Sequence, residues 1–397
     1  MLVCRDRDAR RAGGLTRRPA QGFLGCRQGE RHGSLEPAFG GSNPPTPATG
    51  RRRGVRAKVP RREGAGDEAA RAVGLRIGAC ETGRERMRSR LKVFSGSSNP
   101  TLAQSVCRHL GLSLGKALVT RFSDGEIRVE IGENVRGVDA YVVQSTCRPV
   151  NDHLMELLLM VDALRRASAA RINAVIPYYG YGRRDQKDKP RVPITAKMVA
   201  NLLTAAGVDR VVSCSLHAGQ IQGFFRLPVD DIPGQCFFMD EFRRSARKDS
   251  VVVAPDAAGV ARARLLAEKL RLPLAIIHHE RETGQRDPVV VGDVRGKSVI
   301  IYDDMVDTGT KVCTAAEAVM AYGAQEAEAV CVHGVLSRGS VERIDASPLQ
   351  RVVVTDTIPL EGEAARSPKI HTVSVAPLLA QVMEHIHRDE SVSRLFP

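Results

Sequence analysis

From Arg90 to the C-terminus, short apolar runs rich in β-branched residues alternate with longer amphipathic stretches. The runs AYVVQ, INAVIPYY, RVVSCSL, SVVVAP, LAIIHH, SVIIYDD and EAVCVHGV read as strands. Several are apolar at successive positions, as strands buried on both faces must be. Between them, DHLMELLLMVDALRRA has the apolar spacing of a helix, with Asn151 or Asp152 as its cap, and ITAKMVANLLTAAG runs helically into a glycine. Strand and helix in alternation predict an α/β protein with parallel sheets.

A faint internal echo runs through this pattern. IGENVRGVDAYVVQST (131–146) and VGDVRGKSVIIYDDMVDTGT (291–310) share the order Gly, acid, Val-Arg-Gly and then a β run. Two related halves would produce it, and so would a common hairpin-to-strand device. Where the second copy has Asp303-Asp304, the first has Gln144-Ser145. If the halves are duplicates, only the second carries the acidic site.

That site holds the clearest chemistry in the chain. Ligands of an open parallel sheet bind beyond the carboxyl ends of its strands, and Asp303 and Asp304 are expected at such an end. A short loop then leads into VCTAAEAVMAYG, a helix, so that backbone N–H groups and the hydroxyls of Thr308 and Thr310 gather where a phosphate is favoured. Gly309 permits close approach. Carboxylates beside a phosphate cradle would repel its ligand unless they serve another part of it. Paired acids accept from vicinal sugar hydroxyls, and Mg²⁺ takes carboxylates alongside substrate phosphates. A phosphorylated pentose meets both demands. An Asp-Asp pair that merely caps the next helix is the plainer alternative.

Length and charge set the frame. At 397 residues the chain exceeds one ordinary core, so more than one domain is expected. Residues 1–86 hold 19 Arg plus Lys against 9 Asp plus Glu, most of the net +14, in a Gly/Pro/Arg-rich stretch with little apolar periodicity. We read residues 1–89 as a basic, disordered leader. Its seven or more acids argue against an organelle transit peptide, and translation beginning at Met87 would make it dispensable. The charge therefore does not signal nucleic acid. Nine scattered cysteines without a CxxC pair argue against a disulfide framework or zinc ribbon and suit a reducing cytoplasm. No apolar run reaches the ~18 residues that a membrane span needs.

The stretches FSDGEI, QSTCRPVNDHLMELLLMVDALRRASA, VIPYYGYGRRDQK, PRVPITAKMVANLLTAAG, LHAGQIQGFF, VGDVRGKSVIIYDDMVDTGT, HGVLS and ESVSRLF resemble the ribose-phosphate pyrophosphokinases, in family order, over nearly all of residues 90–397. The resemblance implies two phosphoribosyltransferase-like domains, pseudo-twofold related, at 90–234 and 235–397. It implies transfer of the pyrophosphoryl group of ATP to ribose 5-phosphate with Mg²⁺, in a homohexamer. It assigns Asp303 and Asp304 to the ribose and Asp307, Thr308, Gly309, Thr310 and Lys311 to its 5-phosphate. Phe122, Asp124 and Glu126 would hold the adenine, partly across a subunit contact, with Arg183 and Arg184 near the ATP phosphates. His217 and Asp256 would be metal ligands, and Arg281 with His279 would form the catalytic loop.

Four positions depart from the family pattern. His279 stands where the family has lysine, Ser215 where it has aspartate, Ala258 where it usually has glycine, and Lys311 follows Thr308-Gly309-Thr310 in place of Thr-x-Gly-Thr. Two readings follow: a divergent enzyme in which Arg281 and Lys311 supply the charge lost at His279, or a catalytically weak homologue regulating a partner synthetase. A phosphoribosyltransferase acting on a base would share the 299–310 motif but gives no reason for FSDGEI or GYGRRDQK.

Overall fold

The computed structural model describes residues 90–245, 249–278 and 288–396. The predicted strands and helices appear in order. β1 (Leu91–Ser95) and α1 (Pro100–Leu110) lead to a hairpin of β2 (Ala117–Arg121) and β3 (Ile127–Ile131). β4 (Asp139–Val143), α2 (Val150–Arg166), β5 (Arg171–Ile176), α3 (Thr195–Ala206), β6 (Arg210–Cys214) and β7 (Val229–Ile232) complete a five-stranded sheet in the order β1-β4-β5-β6-β7, parallel throughout.

After α4 (Met239–Ser245), a second sheet is built from β8 (Ser250–Ala254), α5 (Val260–Leu270), β9 (Leu274–His278), β10 (Val289–Val291), β11 (Ser298–Val306), α6 (Thr310–Ala321), β12 (Glu326–Gly334), α7 (Ser340–Ala346), β13 (Val352–Thr355) and β14 (Ile370–Val373). Its seven strands run β10-β9-β8-β11-β12-β13-β14, with only the β9–β10 pair antiparallel. The run β8-β11-β12-β13-β14 repeats the strand order and helical crossovers of the first sheet, so the echo in the sequence reflects a repeated topology. Its Val-Arg-Gly device also repeats: Val135 and Val294 are buried, while Gly137 (φ 70°) and Gly296 (φ 69°) turn the chain into β4 and β11. A left-handed φ is what only glycine supplies cheaply.

The two sheets share a core. Val93, Tyr141, Val143 and Val212 of the first cluster with Val252, Ile300, Tyr302 and Val330 of the second and with Phe237 and Phe238 between them. The last helix, α8 (Ala376–His387), lies in the same cluster through Leu379, Met383 and Ile386, against Leu102, Val106 and Leu110 of α1.

Three local expectations change. Neither Asn151 nor Asp152 caps α2, because the helix already begins at Val150 with Pro149 in the cap position and no side-chain cap. β11 continues past the acids, since Met305 and Val306 still pair with His333 and Gly334 of β12. α6 begins at Thr310, so Thr310 and Lys311 belong to its first turn and not to the loop.

Candidate active site

Asp303 and Asp304 lie in the buried part of β11, at 0% and 2% exposure. Two buried carboxylates need compensation, and three other elements bring it. From α5, Arg262 Nη2 donates to Asp303 Oδ1 at 2.9 Å and to Asp304 Oδ1 at 3.0 Å, and Nη1 donates to the His217 carbonyl at 3.0 Å. From the turn after β6, His217 Nδ1 lies 2.6 Å from Asp304 Oδ2. From α6, Lys311 Nζ lies 3.0 Å from Asp303 Oδ2 and 2.9 Å from Asp256 Oδ2 in the loop after β8. Asp256 Oδ1 takes the Gly259 N–H at 2.8 Å.

This arrangement splits the acid pair. Burial would push both carboxyls up. At Asp304 the hydrogen bond from His217 and the Arg262 charge overcome burial, and it is held well below the usual carboxylate range. Asp303, raised by burial and then by its ionised neighbour, stays above its ordinary value against Lys311 and Arg262. Asp256, partly buried, is lowered by the Lys311 bond. Lys311, against the cost of burial, is raised by Asp303 and Asp256 and remains an ammonium.

The loop beyond β11 behaves as a cradle. Gly309 takes φ 77° at the N-cap of α6 and has no side chain to cap it; the Thr310 N–H reaches the Thr308 hydroxyl at 3.4 Å. The Thr308 and Thr310 hydroxyls lie 3.1 Å apart beside it. Asp307 is held by Arg183 and the Ser337 hydroxyl, and both lower it against burial. A cavity of about 260 Å³ opens here, lined among others by Arg183, His217, Asp304, Asp307, Thr308, Gly309 and Lys311. Asp303 sits behind it under Lys311. Arg183 and Asp307 also line an adjoining cavity of about 730 Å³, which Arg184 and Tyr181 share.

Other expected residues fall elsewhere. Phe122, Asp124 and Glu126 form the exposed turn of the β2–β3 hairpin and line neither cavity. His279 and Arg281 lie outside the described residues. Ala258 is exposed and has no positive φ, so its backbone does not require glycine. Ser215 has φ 54° and is buried, its N–H bonded to the Ile232 carbonyl at 2.9 Å.

Arg262 was not singled out from the sequence, although it ends the stretch PDAAGVAR. Nothing in its spacing separates it from the other 58 Lys and Arg residues; only the fold sets it against both aspartates.

No group of three or more His, Cys, Asp or Glu side chains among the described residues is arranged to hold a metal ion by itself. A donated Nδ1–H leaves the His217 Nε2 lone pair as a ligand oriented by a carboxylate, while both Asp256 oxygens are engaged by Gly259 and Lys311. This donor set fits a Mg²⁺ that arrives on substrate phosphates, and not one caged by protein.

Residues 91–207 match the N-terminal domain of ribose phosphate pyrophosphokinase, and residues 283–397 match the phosphoribosyl synthetase-associated domain. A ribose-phosphate pyrophosphokinase of Caldanaerobacter subterraneus is 53% identical over 317 residues, 78% of this chain and 99% of the relative. The chain belongs to the ribose-phosphate pyrophosphokinase family. A Burkholderia pseudomallei relative of that name is 52% identical over 77% of this chain and 97% of its own length. The crystal structure of phosphoribosylpyrophosphate synthetase from Mycobacterium smegmatis aligns with TM-score 0.72 at 41% identity, over 76% of this chain and 99% of that one. These full-length matches make the two-sheet architecture of residues 90–396 the family fold. No observation favours a regulatory homologue.

Proposed function

We propose that the chain is a ribose-phosphate diphosphokinase, transferring the β,γ-diphosphoryl group of ATP to the anomeric hydroxyl of ribose 5-phosphate to give phosphoribosyl pyrophosphate and AMP. The observation that carries this reading is the paired Asp303-Asp304 beside an uncapped helix N-terminus, in a chain matching the full length of relatives named for that activity.

The 5-phosphate lies at the first turn of α6, where the helix N-terminus and its dipole favour an anion, with the Thr308 and Thr310 hydroxyls as further donors. Asp304 faces the ribose hydroxyls, kept ionised by His217 and Arg262 so that it accepts and never donates. Arg183 and Arg184 serve the ATP phosphates, Arg183 standing where the two cavities meet. In the transfer, the anomeric oxygen bonds to the β-phosphorus as the bond from that phosphorus to the α-phosphate oxygen breaks; AMP leaves with that oxygen, and the hydroxyl proton passes to solvent. Catalysis of this kind is positioning and charge neutralisation. His217 Nε2 and Asp256 are the residues that would hold a Mg²⁺ arriving on the ATP, and such an ion would supply charge neutralisation to the transferred group. Arg281 and His279 are our candidates for the remaining catalytic-loop contacts.

The exposed Phe122–Glu126 turn suits an adenine contact completed by a second copy, so we take the working form as a homo-oligomer, a hexamer, in the cytoplasm. Among the described residues no helix is long and apolar enough to cross a membrane. Neither nucleic acid nor membrane is a partner in this reading.

The test is AMP formation by the full chain with Mg·ATP, inorganic phosphate and ribose 5-phosphate. Ribose-dependent AMP supports the assignment; ATP consumption indifferent to the sugar, or none at all by a folded protein, rejects it.

A further inference from the structure

Lys311 projects from the first turn of α6, yet its ammonium is shared by two acids of other elements, Asp256 Oδ2 at 2.9 Å and Asp303 Oδ2 at 3.0 Å. The remaining oxygens of the cluster are also taken. Asp303 Oδ1 accepts from Arg262 and from the Asp304 N–H at 2.9 Å; Asp256 Oδ1 accepts from Gly259; Asp304 has Arg262 and His217. A bridging position between two carboxylate oxygens is where a hard cation would sit. Here the chain fills it with a compact, tethered charge of its own.

We propose that Lys311 is a resident counter-cation: in the nucleotide-free protein it holds Asp256 and Asp303 in register and keeps a divalent ion from bridging them, so that metal enters only on the phosphates of the nucleotide. This deepens the reading of the site given above and rests on it. It also gives this departure from the family pattern a job different from that of a phosphate ligand. Lys311 acts through Asp256 and Asp303 and is a positioning residue. Because its charge is covalently attached, the acids are neutralised at any free Mg²⁺ concentration, and the metal demand of the resting protein falls to that of the nucleotide.

The test needs no turnover. Mn²⁺ is titrated into full-length protein without nucleotide or sugar, and free Mn²⁺ is read by electron paramagnetic resonance. Wild type and Lys311→Arg should bind it weakly. Lys311→Met should bind about tenfold more tightly or better, a typical coupling between competing sites, and Asp256→Asn in that background should abolish the gain. Mn²⁺ should also raise the melting temperature of Lys311→Met but not of wild type, a readout that survives partial loss of stability. Wild type binding Mn²⁺ as tightly as Lys311→Met, or a gain indifferent to Asp256→Asn, overturns the proposal. If the Mn²⁺ pattern holds while wild type makes no AMP, the assigned reaction fails and the counter-cation stands.

Discussion

His217 Nδ1 lies 2.6 Å from Asp304 Oδ2, across 87 residues and between the two sheets. A carboxylate accepts, so the imidazole must donate, and its other nitrogen is left basic. His217→Ala should therefore cost two things, the orientation of Asp304 and a metal ligand, and lower AMP formation by about 10²-fold, as loss of one preorganised group does. His217→Asn can still donate an amide N–H to Asp304 but offers no imidazole nitrogen. We expect it to regain stability without activity. Wild-type rates for His217→Asn would show that orientation alone matters.

Arg262 is the next residue to test, because one guanidinium spans Asp303, Asp304 and the His217 carbonyl. Arg262→Met takes the shared guanidinium from two buried carboxylates, leaving Asp303 with Lys311 and Asp304 with His217, and removing one partner of a buried pair costs about 3–5 kcal/mol. The melting temperature should fall sharply. Arg262→Lys keeps the charge but not the fork, so it should fold while turning over about 10²-fold more slowly. Full activity of Arg262→Lys in steady-state kinetics would remove Arg262 from the site.

Gly309 takes φ 77° at the N-cap of α6. An added Cβ would meet the Ser340 carbonyl oxygen at an ordinary 3.4 Å, so space is not the obstacle. The left-handed backbone is, at about 1 kcal/mol for alanine. Gly309→Ala should raise KM for ribose 5-phosphate several-fold and leave KM for ATP nearly unchanged. An equal rise in both would place the 5-phosphate elsewhere.

A partly buried aspartate and a buried histidine give opposing pH dependences. Burial pushes Asp231 up from 3.8 to about 7, against hydrogen bonds from the backbone of Leu216 and Ser215. As pH rises through that window the unfolded chain loses the proton first, so stability falls. Burial pushes His333 down from 6.5 to about 4, while it is bonded to the Ser215 carbonyl and Thr357. As pH falls from 6.5 the unfolded chain gains a proton that the fold refuses, so stability falls in the other direction. Wild type should look nearly flat between pH 4 and 7. Asp231→Asn should unmask stability rising with pH, and His333→Gln stability falling with it, each by up to about 1.4 kcal/mol per pH unit inside its window. Urea unfolding across this range decides it; identical slopes in all three proteins would contradict it.

Much of this was legible in the sequence because it depends on local rules. Alternating apolar runs place the strands, and Asp303, Asp304 and Gly309 announce themselves by chemistry at a strand-to-helix junction. What escaped depends on long-range placement. Arg262 looks like any helical cation until α5 packs beside β11. Lys311 reads as a loop residue unless one knows that the helix starts at Thr310, two residues before the expected Val312, which puts Lys311 in its first turn. The first-half equivalents of the acids show the same limit. Gln144 bonds Ser98 and Glu156, and Ser145 donates to the Thr357 carbonyl, so a site in one half became scaffold in the other.

The placement of α8 bears on how the chain is made. Tyr141 of β4 donates to the Met383 carbonyl, and Asp139 Oδ2 receives His387 Nδ1 at 2.7 Å from 248 residues downstream. A ribosome therefore releases the first sheet long before the helix that covers α1 has been synthesised. Until the last residues emerge, that sheet carries exposed apolar surface and a buried-type carboxylate without its imidazole. A stop codon a few residues into α8 would spare every candidate catalytic group and still leave the cell with a chaperone client in place of an enzyme.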